Sequence, residues 1–252
     1  MTVDGRPGNA AGMARRLLFL SAILSLLMTG PGVALPDATL FTKLLGLKDA
    51  QSVRSFVIPW GGQPGKSLVV VVNEQKEGEG LFPFLVATFD QTQANPRLIA
   101  RSQWLEWNPD DVAFPIFKGA EGDFARWQIA ANETAFGLRL TAQANVGTVN
   151  EGKEDLFLFQ IKGAAIQCIL HDHAREWQYA RDEQDMPDEE KGKSDYERSR
   201  IYSFSERMTD GHYDLVSVTR GNPNKSRIVR KWSEDESGSG YGCDSPDPLS
   251  AD

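Results

Sequence analysis

The sequence predicts an all-β protein, built as a propeller-like set of repeated small antiparallel sheets or, alternatively, as a twisted β-sandwich. Three observations lead there. Apolar runs are short and rich in β-branched and aromatic residues, 23 glycines and 13 prolines punctuate them, and one order of strands recurs three times. The 252 residues are 40% hydrophobic and 25% charged, which is globular and excludes a collagen-like or wholly disordered chain.

The first element is a leader. Arg15 and Arg16 precede twelve uncharged residues, 17–28, and then Gly30, Pro31, Gly32, Val33 and Ala34. A basic start, an apolar stretch and small residues at −3 and −1 make an export signal, so residues 1–34 read as a signal peptide cleaved after Ala34. Twelve apolar residues in a helix span about 18 Å, short of a bilayer core of about 30 Å. The mature form is therefore expected to lack a transmembrane segment and to work in the periplasm or outside the cell. Met13 stands just before the arginine pair and offers an alternative start to Met1. Ala14 occupies the place where a twin-arginine signal carries a polar residue, which favours general secretion, and no cysteine near the cleavage point supports lipid attachment.

The mature chain divides into one β-rich domain over 35–242 and a flexible tail over 243–252. A short amphipathic stretch, 40–47, reads as a helix. Leu68, Val69, Val70, Val71 and Val72 form a continuous apolar run bounded by glycines, the pattern of a strand covered on both faces. Residues 82–89 follow as its hairpin partner and 97–101 as a third strand. Phe136, Leu138 and Leu140 then alternate with smaller or polar residues, 156–161 pairs with them across a polar loop at 147–155, and 165–170 is third again. A third cycle runs through 213–219, a turn at 221–224, and 227–232. Leading strands start near 68, 136 and 214, with an added strand before the second and third at 124–129 and 200–204. Residues 181–198 break the pattern with eight acidic and four basic side chains, a solvated acidic insertion or an acidic face for a basic partner.

Charge narrows the partners. The formal net charge is −8, and removing the leader's three basic and one acidic residue leaves 24 basic against 34 acidic, a net −10. A nucleic-acid partner is disfavoured. Export also gives meaning to Cys168 and Cys243, the only cysteines: they can pair across 75 residues and pin the tail, or Cys168 can serve as a small core residue in its apolar run.

Chemical motifs are sparse. Gly62 to Ser67 imitates a phosphate loop, but Trp60 stands where the first glycine belongs and a strand follows where a helix is needed. His171 and His173 flank Asp172, and on an extended strand their imidazoles share one face, where zinc would need a third ligand. The alternative is polar surface at a strand end. Asp210 and Asp214 bracket Gly211, His212 and Tyr213, either as a tight turn or as two oxygen donors for calcium. No Gly-x-Ser-x-Gly elbow is present, and Cys168 and His171 fall on opposite faces of a strand. Trp104 and Trp107 form either a binding anchor on a loop or a plug between sheets.

The stretch from Asp210 through Leu215, Val216, Ser217 and Val218 resembles the Asp-Gly-x-x-Asp-Leu-Val-Val signature of FG-GAP/VCBS-type β-propeller repeats. The stretches 133–139 and 155–159 are similar to segments of exported bacterial proteins of uncharacterised function. The resemblance implies a propeller-like binding scaffold in a bacterial envelope. Some similar periplasmic proteins inhibit peptidoglycan-cleaving toxins. The expected function is a non-enzymatic exported binding protein, with a protein partner in the cell envelope, no required cofactor, and Trp104 and Trp107 in the contact. A metal-dependent envelope hydrolase using His171 and His173, and a structural envelope component, are the alternatives.

Overall fold

Among the described residues strand follows strand from Val53 onward, with one short helix before them. The computed structural model describes residues 38–47, 53–60, 63–73, 80–93, 95–109, 112, 115–147, 149–180, 196–221, 226–235 and 238–243. The expected signal peptide at 1–34, the acidic stretch at 181–195, the expected turn at 222–224 and the residues beyond Cys243 lie outside the described residues. In order the elements are α1 (Ala38–Leu44), β1 (Val53–Pro59), β2 (Lys66–Asn73), β3 (Phe82–Asp90), β4 (Arg97–Arg101), β5 (Leu105–Trp107) and β6 (Ile116–Ala130). They continue with β7 (Glu133–Val146), β8 (Val149–Lys162), β9 (Ala165–Ala180), β10 (Tyr196–Thr209), β11 (His212–Arg220), β12 (Arg227–Arg230), β13 (Ser233–Asp235) and β14 (Gly238–Gly240). No helix among the described residues is long and apolar enough to cross a membrane.

The all-β expectation holds, but the strands do not divide into separate small sheets. Among the described residues β1 to β12 share one sheet, and only β13 and β14 pair apart from it. The reason lies in β6 to β9, which are 14 to 16 residues long and joined by two-residue turns. Such hairpins must pair along their length, which leaves no break at which a blade could end. Gly147 and Gly163 supply the left-handed φ these turns need, at 58° and 63°. The segment expected as a polar loop, 147–155, is mostly the start of β8.

The sheet curls into a nearly closed barrel along the circuit β1, β2, β3, β4 with β5, β9, β8, β7 and β6. β1 and β6 face each other at the last gap, where Arg54 Nη1 reaches the Phe117 carbonyl at 3.5 Å and the rings of Phe56 and Phe117 meet at 5.4 Å. Side chains fill the interior. Leu68, Val70 and Val72 of β2, Phe82, Phe84 and Val86 of β3, Leu138 and Leu140 of β7, and Phe157 and Phe159 of β8 form one buried cluster. Alternate residues point outward, so a strand with both sets apolar needs a second cover. For β2 and β3 that cover is α1 with the turn that follows it: Phe41 and Leu45, one turn apart, pack on Val69, Val71, Leu85 and Phe89. For β8 and β9 it is the β10–β12 unit, which folds back over β6 to β9 and buries Leu156, Leu158, Leu170, Leu215 and Trp232. Trp127 of β6 meets Tyr202 and Phe204 of β10 at 6.2 and 6.1 Å.

After Trp232, residues 238–243 are tied to β9. Tyr241 is buried, its N–H donates to the Ile169 carbonyl at 2.6 Å, and His171 N–H donates to the Gly242 carbonyl at 2.9 Å. Gly240 is required here, since a Cβ would lie 2.5 Å from the Ile169 carbonyl oxygen. Cys168 and Cys243 form the disulfide that clips this segment to β9, with Cα atoms 6.0 Å apart.

Candidate functional site

Two places gather the residues that the sequence singles out. The first is inside the barrel. Asp155 lies on β8 with no exposure to solvent, opposite His173 in the antiparallel register, and Phe157 lies opposite His171. Asp155 Oδ1 is 2.7 Å from His173 Nδ1, and Oδ2 is 2.9 Å from His171 Nε2. Trp107 Nε1 donates to the same Oδ2 at 2.7 Å. Phe157 stacks on the His171 ring at 4.1 Å and 11°.

The carboxylate has no protons to give, so it accepts from both rings. That fixes His171 with its proton on Nε2 and His173 with its proton on Nδ1. Burial raises the Asp155 pKa, but hydrogen bonds from His171 and His173 outweigh it and hold the carboxyl far below the ordinary aspartate value. A carboxylate that orients imidazoles is also a feature of hydrolytic and metal sites. Here both histidine side chains are under 10% exposed. Among the described residues, no group of three or more His, Cys, Asp and Glu is placed to hold a metal ion. The two histidines share one face, as their spacing predicts, but in the middle of a strand and not at its end. The arrangement is a polar pin that joins β5, β8 and β9 across the barrel.

Asp172, between the two histidines, points the other way. Arg200 of β10 and Arg230 of β12 both bond its Oδ1, Arg230 at 3.0 Å, and Tyr202 OH donates to the His173 carbonyl at 3.1 Å. Burial pushes the Asp172 carboxyl up against the pull of both guanidiniums, and pushes the Tyr202 hydroxyl well up. This cluster ties the β10–β12 unit to the barrel wall.

The second place is the junction of β4 and β9. These strands meet through a single parallel pairing, Arg101 with Ala165, and beside it opens a groove of about 820 Å³. Its walls carry Trp104, Leu105, Ile166 and the Cys168–Cys243 disulfide. β4 and β5 are one interrupted strand along β3. At the interruption the Ser102 hydroxyl accepts from Val86 N–H at 3.0 Å and donates to the Gln103 carbonyl at 2.6 Å. The resulting kink turns Trp104 outward, 44% exposed, while Trp107 three residues later is fully buried. The two tryptophans therefore part company: Trp107 plugs the barrel and Trp104 remains at the surface.

The Asp210–Gly211 turn opens β11, with Asp210 at a φ of 49°. Asp214 is fully buried, accepts from Thr209 Oγ1 at 2.7 Å and lies 3.7 Å from Arg207 Nε. Asp214 therefore faces a hydroxyl and a guanidinium. Sequence reasoning missed Asp155, Arg200 and Arg230, whose roles depend on pairings across the sheet.

No family model, curated protein or solved structure matches this chain.

Proposed function

We propose that this chain is a non-enzymatic, exported binding protein that engages a protein partner in the cell envelope through the groove at the β4–β9 junction. The observation that carries the reading is Trp104. A large indole 44% exposed beside an open groove, on a kink held by Ser102 and sharing the groove wall with a disulfide, is an aromatic anchor. Aromatic anchors of that kind supply much of the energy of protein contacts. The burial of His171 and His173 against Asp155 supports a binding role over hydrolysis.

The test is affinity capture from an envelope extract with the wild type and Trp104→Ala, followed by reconstitution of the captured pair. A partner held by the wild type and weakened by about 2 kcal/mol or more in the variant supports the reading. If that partner is a peptidoglycan hydrolase slowed by the complex, the role is inhibition. Capture indifferent to Trp104, or stoichiometric zinc lost on substituting His171 and His173, overturns it.

A further inference from the structure

At the end of the barrel away from Asp155, β2, β3, β7 and β8 surround a cavity of about 340 Å³, at the lower end of the size range of small-molecule sites. One wall is aromatic. Trp60 is wedged by Phe136 at 4.8 Å and Phe124 at 5.8 Å, so its ring is held in place. The remaining lining is mixed: Thr88, Asn132, Thr134 and Gln160 bring neutral polar groups, Ile99 and Ile161 apolar ones, and Lys66 and Glu133 oppose each other in charge.

Thr88 is the informative residue. Along β3, Phe82, Phe84 and Val86 point into the barrel, so Thr88 two residues further on points the same way. It is 1% exposed, and its hydroxyl has no hydrogen-bond partner. Gln160 adds a second such atom: its Nε2 donates to Glu133, and its buried Oε1 has no partner. Buried polar atoms are normally paired, and an unpaired one is destabilising unless something that visits the site completes it. A fatty acyl chain would leave these groups unpaired, and a multiply charged anion would meet Glu133. A pyranose offers C–H faces to an indole and hydroxyls around its rim that both donate and accept.

We propose that this cavity binds a pyranose saccharide of one or two rings, with Trp60 as the stacking platform and Thr88 as a buried hydrogen-bond contact. The site is separate from the Trp104 groove.

The experiment is calorimetric titration of the purified protein with methyl β-glucopyranoside, N-acetylglucosamine and glucuronate, with octanoate and inorganic phosphate as comparison ligands. Saturable binding of at least one pyranose is expected. Thr88→Val should weaken it roughly five-fold or more. The same variant should raise the melting temperature by about 2 °C, since a methyl replaces an unpaired buried hydroxyl. Trp104→Ala should leave saccharide affinity unchanged, which separates this site from the partner groove. Absence of binding by all three pyranoses at tens of millimolar, preference for octanoate or phosphate, or affinity indifferent to Thr88→Val would each overturn the proposal.

Discussion

Trp107 and Asp155, 48 residues apart, meet inside the barrel, where the indole Nε1 donates to the carboxylate Oδ2 at 2.7 Å and neither residue is exposed. The ring also packs edge to face with Phe117 at 6.0 Å and against Phe82 at 5.5 Å. Trp107→Phe keeps most of the apolar contact and deletes the donor. A hydrogen bond to a charged group contributes about 1.5–3 kcal/mol, and that loss is expected in urea unfolding. Trp107→Ala, which adds a cavity, should lose about 3–5 kcal/mol. A Trp107→Phe variant as stable as the wild type would show that the indole N–H contributes nothing.

The same carboxylate makes stability depend on acid. Its pKa in the folded chain is depressed below the ordinary 3.8 by His171 and His173. A group depressed on folding contributes stability that is fully present above its unfolded value and is lost as pH falls through the folded one. Unfolding free energy should therefore hold near neutrality and decline below about pH 4. In Asp155→Asn the neutral-pH stability should fall by about 3 kcal/mol or more, with a shallower decline in acid. Parallel pH profiles for wild type and variant would remove Asp155 as the cause.

How much of this was legible can be seen at particular residues. Leu68 to Val72 announces β2 because a barrel interior and α1 cover opposite faces, and an uninterrupted apolar run is what two covers require. β1 escaped because Arg54 and Ser55 interrupt its pattern, and β5 because three residues give no period. The spacing of His171 and His173 put them on one face, yet their partner could not be counted from the turn. A regular register back from Lys162 and Ala165 sets Asp155 opposite Asp172. A bulge between Leu158 and Phe159 shifts the ladder by one residue and brings His173 there instead. The continuous sheet was equally hidden, because repeated strand order looks alike whether blades separate or not.

Asp172, Arg200 and Arg230 form the other buried charge cluster, and it holds the β10–β12 unit to β9. Removing one member of a buried ion pair leaves a charge without its compensation, at a loss of about 3–5 kcal/mol. Arg200→Ala and Asp172→Ala should each show a loss of that size. The double variant should lose less than the sum, with a coupling of about 1–3 kcal/mol. Strict additivity in guanidinium unfolding would mean that the two side chains do not act on each other.

The disulfide offers the most local test. Cys168 and Cys243 are 75 residues apart, and in the chain-entropy picture closing such a loop stabilises by at most about 4.5 kcal/mol. Cys168→Ser with Cys243→Ser should lose up to that amount. The change should fall first on the segment that the bridge holds, because Gly240 to Gly242 joins β9 by only two backbone hydrogen bonds, from Tyr241 N–H to Ile169 and from His171 N–H to Gly242. Hydrogen exchange should therefore accelerate at the Tyr241 and His171 amides in the variant, while Val70, inside β2, and Val86, whose N–H donates to Ser102 Oγ, keep their protection. Uniform acceleration across all four amides would instead mean that the bridge stabilises the whole barrel and not just the segment clipped to β9.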